Sequence, residues 1–174
     1  MFKNFFLIFV FFFFISSCSK DEALYLPTNK ADPYKLYKEG LYRFEIGEFF
    51  LAEKKFSEAE LNFETVELAA KSSIMSSYSL YGINFYDDAI ENLNMYLKKY
   101  PADKNVMYAH YLIALIHYEQ ITDEKKDLKP LLDASSKIDF FLKKFPNSDY
   151  AIDLKFKKDL IENQLAAKEM YIAK

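Results

Sequence analysis

The sequence predicts an all-α fold, a superhelical solenoid of antiparallel helix pairs, on three observations. The phrase Tyr96–Pro101 (YLKKYP) returns 45 residues later as Phe141–Pro146 (FLKKFP). Ala89 and Ala134 each lie 12 residues before the proline of their copy. Only 3 Gly and 5 Pro are present, which is too little turn chemistry for many short strands. Such periods are typical of stacked repeat proteins, which usually bind other proteins.

Composition and charge narrow the class of protein. The 174 residues suit one domain, and a hydrophobic content of 51% can form a sizeable core. With 23 basic against 26 acidic residues, the net charge of -3 predicts no nucleic-acid partner. The 3 scattered glycines cannot form a phosphate-binding loop, and no catalytic constellation stands out. We therefore expect neither an enzyme nor a cofactor.

The N-terminus predicts a targeting segment. After Lys3, an unbroken apolar run of 11 residues extends from Phe5 to Ile15. A membrane-spanning helix needs about 20 apolar residues, whereas a signal peptide needs about half that number. We therefore expect residues 1–17 to be a signal peptide.

The four residues Ile15, Ser16, Ser17 and Cys18 resemble the lipobox of bacterial lipoproteins. This resemblance implies cleavage before Cys18 and its modification by palmitate and other acyl chains. Cys18 is the only cysteine, so it has no disulfide partner within the chain; the alternative is a free thiol beside an ordinary cleavage site. The polar segment 18–32 would then be a lipidated tether.

The first helix pair can be read from Asp32 onward. Asp32 suits the cap of a helix and Pro33 its first position, and Gly47 suits its end. One face of this helix carries Tyr34, Tyr37, Leu41 and Phe44, at spacings of 3, 4 and 3. The next helix is expected to turn inward Leu51, Ala52, Phe56 and Ala59.

Small residues at fixed spacing identify the repeat. Gly40, Gly47, Ala52, Phe56 and Ala59 resemble the glycine, alanine and aromatic positions of the tetratricopeptide repeat (TPR). Small side chains there let two helices approach closely. The resemblance implies a TPR domain over residues 33–174, with repeats at about 33–65, 70–101 and 104–146 and a final helix over 148–174.

The later repeats follow the same pattern. The second and third match it at Ala89, Leu93, Tyr96 and Pro101, and at Ala134, Ile138, Phe141 and Pro146, with Asn84 in place of the turn glycine. In the third repeat, Asp103 is expected to cap a first helix running from about Lys104 to Ile121. The charged stretch near 122–130 is expected to be a surface loop. Asn147 or Ser148 is expected to cap the final helix.

Three segments carry a closer resemblance: Tyr118–Asp123, Phe145–Ala151 and Gln164–Met170 are similar to the BamD family of outer-membrane β-barrel assembly lipoproteins. The resemblance implies an adaptor on the periplasmic face of the outer membrane. Its partners would be the β-barrel insertase, other subunits of the assembly complex and unfolded outer-membrane proteins. The alternatives are another periplasmic TPR lipoprotein (a pilus-secretin pilot or a cell-envelope coordinator) and an anchored hydrolase of envelope polymers.

That family has five repeats, and this chain stops early in the fourth. The last apolar residues, including Met170, end without the polar cap that a solenoid end needs, so we expect a fragment or a missing repeat. The family's contact with the insertase lies mainly in its C-terminal repeats.

A peptide groove is expected on the first helix of each pair. By repeat position it would hold Tyr34, Tyr37, Leu41, Phe44, Ile74, Tyr78, Tyr81, Tyr108, Leu112 and Leu115. Tyrosine suits such a groove because it offers a large contact area and a polar tip. The alternative is that these residues, above all the leucines and Ile74, only pack against neighbouring repeats. His110 and His117 lie about 10 Å apart along their helix, so no metal site is expected.

Overall fold

The computed structural model describes residues 31–121 and 128–172, with side chains up to residue 170. The predicted signal peptide, Cys18 and nearly all of the tether lie outside these residues, as does most of the predicted surface loop. All regular secondary structure in the described part is helical. The helices are α1 (Pro33–Glu45), α2 (Phe49–Asn62), α3 (Val66–Gly82), α4 (Tyr86–Lys99), α5 (Val106–Glu119), α6 (Lys129–Lys144) and α7 (Asp149–Ile172).

Each helix packs against the next one along the chain, and α5 also contacts α7. This arrangement confirms the predicted all-α fold of stacked helix pairs. Over residues 31–121 and 128–172, no helix combines the length and the apolar character needed to cross a membrane.

Both predicted ends of α1 are confirmed. A side-chain oxygen of Asp32 accepts a hydrogen bond of 3.0 Å from the Tyr34 amide, with Pro33 at the first helical position. Gly47 follows the helix with a φ of +80°, a left-handed conformation that costs glycine little. Asn84 takes the same role after α3, with a φ of 60°, and asparagine is one of the few other residues that tolerate it.

The first helix pair closes on a glycine and an aromatic ring. A Cβ atom on Gly40 would lie 2.8 Å from the ring of Phe56, so α1 can approach α2 only because residue 40 has no side chain. Phe56, Ala52 and Ala59 are fully buried, as predicted. The prediction for Leu51 is wrong, because its side chain is 43% exposed. It lies about 100° around the helix from Ala52 and so misses the buried face.

The repeated phrase has the same place in both later pairs. All six inward residues are fully buried: Ala89, Leu93, Tyr96, Ala134, Ile138 and Phe141. They contribute to two clusters of apolar side chains, one over α3, α4 and α5 and the other over α5, α6 and α7. The spacing of alanine and aromatic residues therefore correctly predicted which face of α4 and of α6 is buried.

Two predicted helix starts need correction. Helix α5 begins at Val106 rather than near Lys104, and Asp103 does not cap it. Instead, Asp103 accepts hydrogen bonds from the Tyr96 hydroxyl and from the Asn105 amide, which holds the turn before the helix. Ser148 does precede α7 directly, but its hydroxyl donates back to the Phe145 carbonyl at 3.0 Å.

Helix α3 is unusual because five serines on it are buried: Ser72, Ser73, Ser76, Ser77 and Ser79. Their small side chains allow α3 to lie close to both α2 and α4. The Ser76 hydroxyl lies 3.0 Å from that of Ser57 on α2 and accepts a hydrogen bond from Asn92 on α4. This polar contact joins the first two helix pairs, and the sequence pattern gave no sign of it.

Candidate peptide-binding surface

Four aromatic rings form a continuous series of ring contacts across the first helices of successive pairs. Phe44 on α1 stacks on Tyr78 of α3, with ring centroids 5.4 Å apart. Tyr78 meets Tyr108 of α5 edge-on at 6.4 Å, and Tyr108 meets Tyr150 of α7 at 5.8 Å. These four residues are called the aromatic row below. The row links α1, α3, α5 and α7 through side chains that all remain partly exposed.

Other rings widen the aromatic row on both sides. Tyr81 stacks on Tyr78 at 5.9 Å, one turn further along α3. Tyr111 stacks on Tyr150 at 4.4 Å, which is the closest of these ring contacts. Aromatic pairs at such distances contribute roughly 0.5–1.5 kcal/mol each beyond the burial of their area. The surface is therefore held in place by its own side chains and needs little ordering when a ligand binds.

The hydroxyl groups of the row are available to a ligand. Tyr78, Tyr81, Tyr108 and Tyr150 make no side-chain hydrogen bond within residues 31–121 and 128–170, whereas Tyr111 donates to Asp153 at 3.0 Å. Burial raises the pKa of Tyr108, and the neighbouring Tyr78 adds to this effect. Burial also raises the pKa of Tyr81, with a further contribution from the charge of Glu119. With raised pKa values, the hydroxyls of Tyr81 and Tyr108 stay neutral at physiological pH, so each can both donate and accept.

Two carboxylates, those of Asp153 and Glu119, lie close to tyrosines of this surface. Asp153 is neutralised by Lys157, at 2.7 Å, and Lys157 also lies over the ring of Tyr118. Glu119 is exposed and has no ion-pair partner in the described part of the chain. Among the described residues, Glu119 is therefore a carboxylate near Tyr81 without an ion-pair partner.

The structure divides the predicted groove residues into two groups. Phe44, Tyr78, Tyr81 and Tyr108 come together in the row and beside it. Tyr34 and Tyr37 do not join them, because their rings contact Phe63, which follows α2, at 5.2 and 6.4 Å. Leu41 lies on α1 between the two groups and is half-buried.

For two of the apolar residues, the alternative that they only pack against neighbouring repeats is confirmed. Ile74 and Leu112 are buried in the core over α3, α4 and α5, and Leu115 packs against the same core. Tyr111 and Tyr150 were not among the predicted groove residues. Carrying the groove pattern on into α7 would have found Tyr150, which occupies the second position of that helix.

The two histidines lie in separate surroundings. His110 packs between the rings of Phe140 and Phe145, and its Nε2 atom is 3.1 Å from the Lys144 ammonium. Burial lowers the pKa of His110, and the charge of Lys144 lowers it further. His117 instead lines a cavity of about 510 Å³ beside α4. Within the described ranges, no three potential ligand side chains come together around a metal position.

Comparison with known proteins decides the family. A model of the YfiO family, described as an outer membrane lipoprotein, matches residues 29–174. The chain belongs to this family. The matched region includes every described helix, so the whole aromatic row lies within the YfiO match.

Curated relatives agree with this membership. The chain is 32% identical over 139 residues to the outer membrane protein assembly factor BamD of Rickettsia prowazekii, with coverage of 80% of the chain and 55% of the relative. BamD of Caulobacter vibrioides is also 32% identical, with coverage of 80% and 46%. BamD of Xylella fastidiosa is 23% identical, with coverage of 79% and 50%. The chain spans about half the length of these relatives, and the predicted resemblance to BamD is confirmed.

Proposed function

We propose that this chain is a lipid-anchored, non-catalytic adaptor in the assembly of outer-membrane β-barrel proteins. Its relatives are named outer membrane protein assembly factors, and its family is described as an outer membrane lipoprotein. On this proposal, the chain acts on the periplasmic face of the outer membrane. It receives unfolded barrel precursors on the aromatic row and belongs to a complex with the β-barrel insertase and other subunits.

The aromatic row is the observation that supports peptide binding. It offers rings from four successive first helices together with hydroxyls that have no partner within the described residues. Tyrosine side chains supply contact area at low entropic cost, and their hydroxyls can bond to a peptide backbone. Strands of outer-membrane barrels are rich in aromatic and apolar residues, so an aromatic surface suits a precursor in transit.

The anchor in this proposal is Cys18. Several acyl chains on one residue give lasting attachment to a bilayer, because each buried CH₂ contributes about 0.8 kcal/mol. Replacing Cys18 with serine should move the protein from the membrane fraction to the soluble periplasmic fraction. It should also abolish incorporation of a labelled palmitate analogue. Membrane retention without labelling would contradict this part of the proposal.

The partner proposal is tested in membranes. Cross-linking followed by affinity purification of the chain should recover the β-barrel insertase, and depletion of the chain should lower the level of barrel proteins in the outer membrane. Recovery of a secretin in place of the insertase would support the pilus-secretin alternative and overturn this proposal.

A further inference from the structure

A groove beside α4 lies apart from the aromatic row. It has a volume of about 510 Å³ and is lined by one face of α4 together with His117 and Gln120 near the end of α5. His117 follows Tyr108 by nine positions, which places the two residues about 180° apart around α5. This groove, called the α4 groove below, and the aromatic row therefore lie on opposite sides of α5.

Helix α4 lines the groove over three turns. The lining residues follow one another at spacings of 3, 1, 3, 1 and 3, so they share one face: Asp87, Ile90, Glu91, Asn94, Met95 and Lys98. This face is about 16 Å long, since a helix rises about 1.5 Å per residue. The buried residues Ala89, Leu93 and Tyr96 lie on the opposite face of α4 and pack in the core.

Helix α6 lies on the other side of the groove floor. Both α4 and α6 pack against α5. Burial lowers the pKa of His117; Lys137 on α6 lowers it further, against the opposing charges of Asp133 on α6 and Asp87 on α4. The imidazole therefore lies between charged groups from both flanking helices. A channel with a helical floor and a helix on each side has the shape that receives another helix.

The two ends of the α4 groove carry opposite charges. Asp87 and Glu91 lie at one end and Lys98 at the other. Within residues 31–121 and 128–170, none of these three side chains has an ion-pair partner. Between the ends, the Met95 side chain is 53% exposed and Ile90 is partly buried. A complementary ligand would be basic at one end, apolar in the middle and acidic at the other end.

The backbone of the groove favours a helical ligand. The residues that form it belong to helices, which bond their own N–H and C=O groups, so it offers no sheet edge to an extended strand. A helical ligand also bonds its own backbone and needs only side-chain contacts. Lying antiparallel to α4, it would carry its acidic residue near its N-terminus and its basic residue near its C-terminus, which its own dipole also favours.

We propose that the α4 groove binds an amphipathic helix of a partner protein, antiparallel to α4, with a basic residue beside Asp87 and Glu91, an acidic residue beside Lys98 and apolar residues between them. About eleven residues of such a helix would span the groove. This inference goes beyond the proposed function, because it assigns a second binding surface that needs neither the aromatic row nor the lipid anchor.

Three fluorescent peptides test the proposal, each with a twelve-residue core inside an alanine-rich helix. The first core has glutamate at position 1, leucine at positions 5 and 8, and lysine at position 12. The second moves the leucines to positions 3 and 10, on the opposite side of the helix, and the third replaces the lysine with glutamate. Binding to the full chain in lipid nanodiscs is measured by fluorescence anisotropy. We expect the first peptide to bind about tenfold more tightly than either of the others.

Two variants of the chain locate the binding site. Met95→Glu puts a charge in the apolar middle of the groove and should weaken binding of the first peptide about tenfold. Met170→Glu is the matched control, because Met170 is also exposed but lies on α7, and it should not change the affinity. Glu91→Lys should weaken the first peptide and strengthen the third, because it reverses the charge at that end of the groove.

The outcomes separate this inference from the proposed function. Equal affinity for the first two peptides, or no binding of any peptide, would overturn the helix-binding groove. Unchanged affinity of Met95→Glu for the first peptide, with circular dichroism showing an intact fold, would also overturn it. Cross-linking of a barrel precursor to Tyr108 should be the same in Met95→Glu as in the unaltered chain. If the first peptide binds but no precursor can be cross-linked to Tyr108, the precursor-binding function fails while this inference holds.

Discussion

The first copy of the repeated phrase, Tyr96–Pro101, and the second, Phe141–Pro146, bury the same positions but make different polar contacts. In the first copy, the Tyr96 hydroxyl donates to Asp103, and the Tyr100 hydroxyl and the Lys99 ammonium both donate to Glu60 at 2.7 Å. These bonds connect α4 to the turn before α5 and to α2. The first copy is therefore fixed by hydroxyl groups as well as by packing.

The second copy has phenylalanine at both ring positions and so lacks those hydroxyls. The residue that corresponds to Asp103 is Ser148, which bonds to the Phe145 carbonyl instead. Lys144 lies over the ring of Phe145 and contacts His110 rather than a carboxylate. The two copies therefore share the buried positions but differ in their polar contacts.

The largest expected effect is common to both copies. Tyr96→Ala and Phe141→Ala each remove a fully buried ring and should lower the free energy of unfolding by about 3–5 kcal/mol. Urea unfolding followed by circular dichroism measures this loss. Phe140→Ala is the control, because Phe140 is 50% exposed and its truncation should cost far less. Losses as small as the control's would show that these rings do not anchor the helix pairs.

The next largest change in the free energy of unfolding depends on the ring hydroxyl, which is present in the first copy and absent from the second. Tyr96→Phe removes a hydroxyl bonded to a carboxylate and should cost about 1.5–3 kcal/mol. Phe141→Tyr should cost about 1–3 kcal/mol for the opposite reason, since it buries a hydroxyl without an acceptor.

Adding Ser148→Asp to Phe141→Tyr would recreate the contact of the first copy and should restore part of that loss. The measurement is again urea unfolding, with Ser148→Asp alone as the control. If the double variant is no more stable than the sum of the two single changes predicts, the turns that follow Pro101 and Pro146 are not equivalent.

The contrast between shared buried positions and differing polar contacts also explains what could be predicted from sequence. Ala89 and Ala134 were predictable because close helix packing depends on side-chain size at a fixed spacing. The role of Asp103 was not, because it depends on how the turn after Pro101 brings residue 103 back towards Tyr96. In the candidate site, the pattern placed Tyr78 and Tyr108 on first helices, but the angle between helices decides which rings meet. For this reason the sequence did not reveal that the rings of Tyr34 and Tyr37 contact Phe63, or that Tyr150 contacts Tyr108.

A pH titration should separate the two copies in a different way. Burial, and then the charge of Lys144, lower the pKa of His110 from its ordinary 6.5. Burial likewise lowers the pKa of His117; Lys137 lowers it further, against the opposing charges of Asp133 and Asp87. Well above pH 6.5 these histidines are neutral in both states, whereas around and below pH 6.5 the unfolded chain binds more protons than the folded one. We therefore expect stability to fall as the pH drops through 6.5, and His110→Gln to reduce that fall.

On the acid side, the first copy should respond at a lower pH than the second. Burial opposes ionisation of Asp103, but hydrogen bonds from Tyr96 and Asn105 outweigh it and lower the pKa below its ordinary 3.8. Its contribution is present above pH 3.8 and is lost as the pH falls through the folded-state pKa. Asp103→Asn should therefore flatten the acid end of the stability curve and leave the region near pH 6.5 unchanged. A change near pH 6.5 would contradict this assignment.

The smallest effects concern the two lysines in equivalent positions. Lys99→Met removes an exposed ion pair with Glu60 and should cost less than about 1 kcal/mol, with the difference shrinking at high salt. Lys144→Met removes a charge that faces a histidine and lies over the rings of Phe140 and Phe145, so at pH 7 it should cost about 1 kcal/mol or less. It should also raise the pKa of His110, measured by NMR, because the repulsion between the two cations disappears. A pKa of His110 that stays the same after this change would mean that burial alone keeps the imidazole neutral.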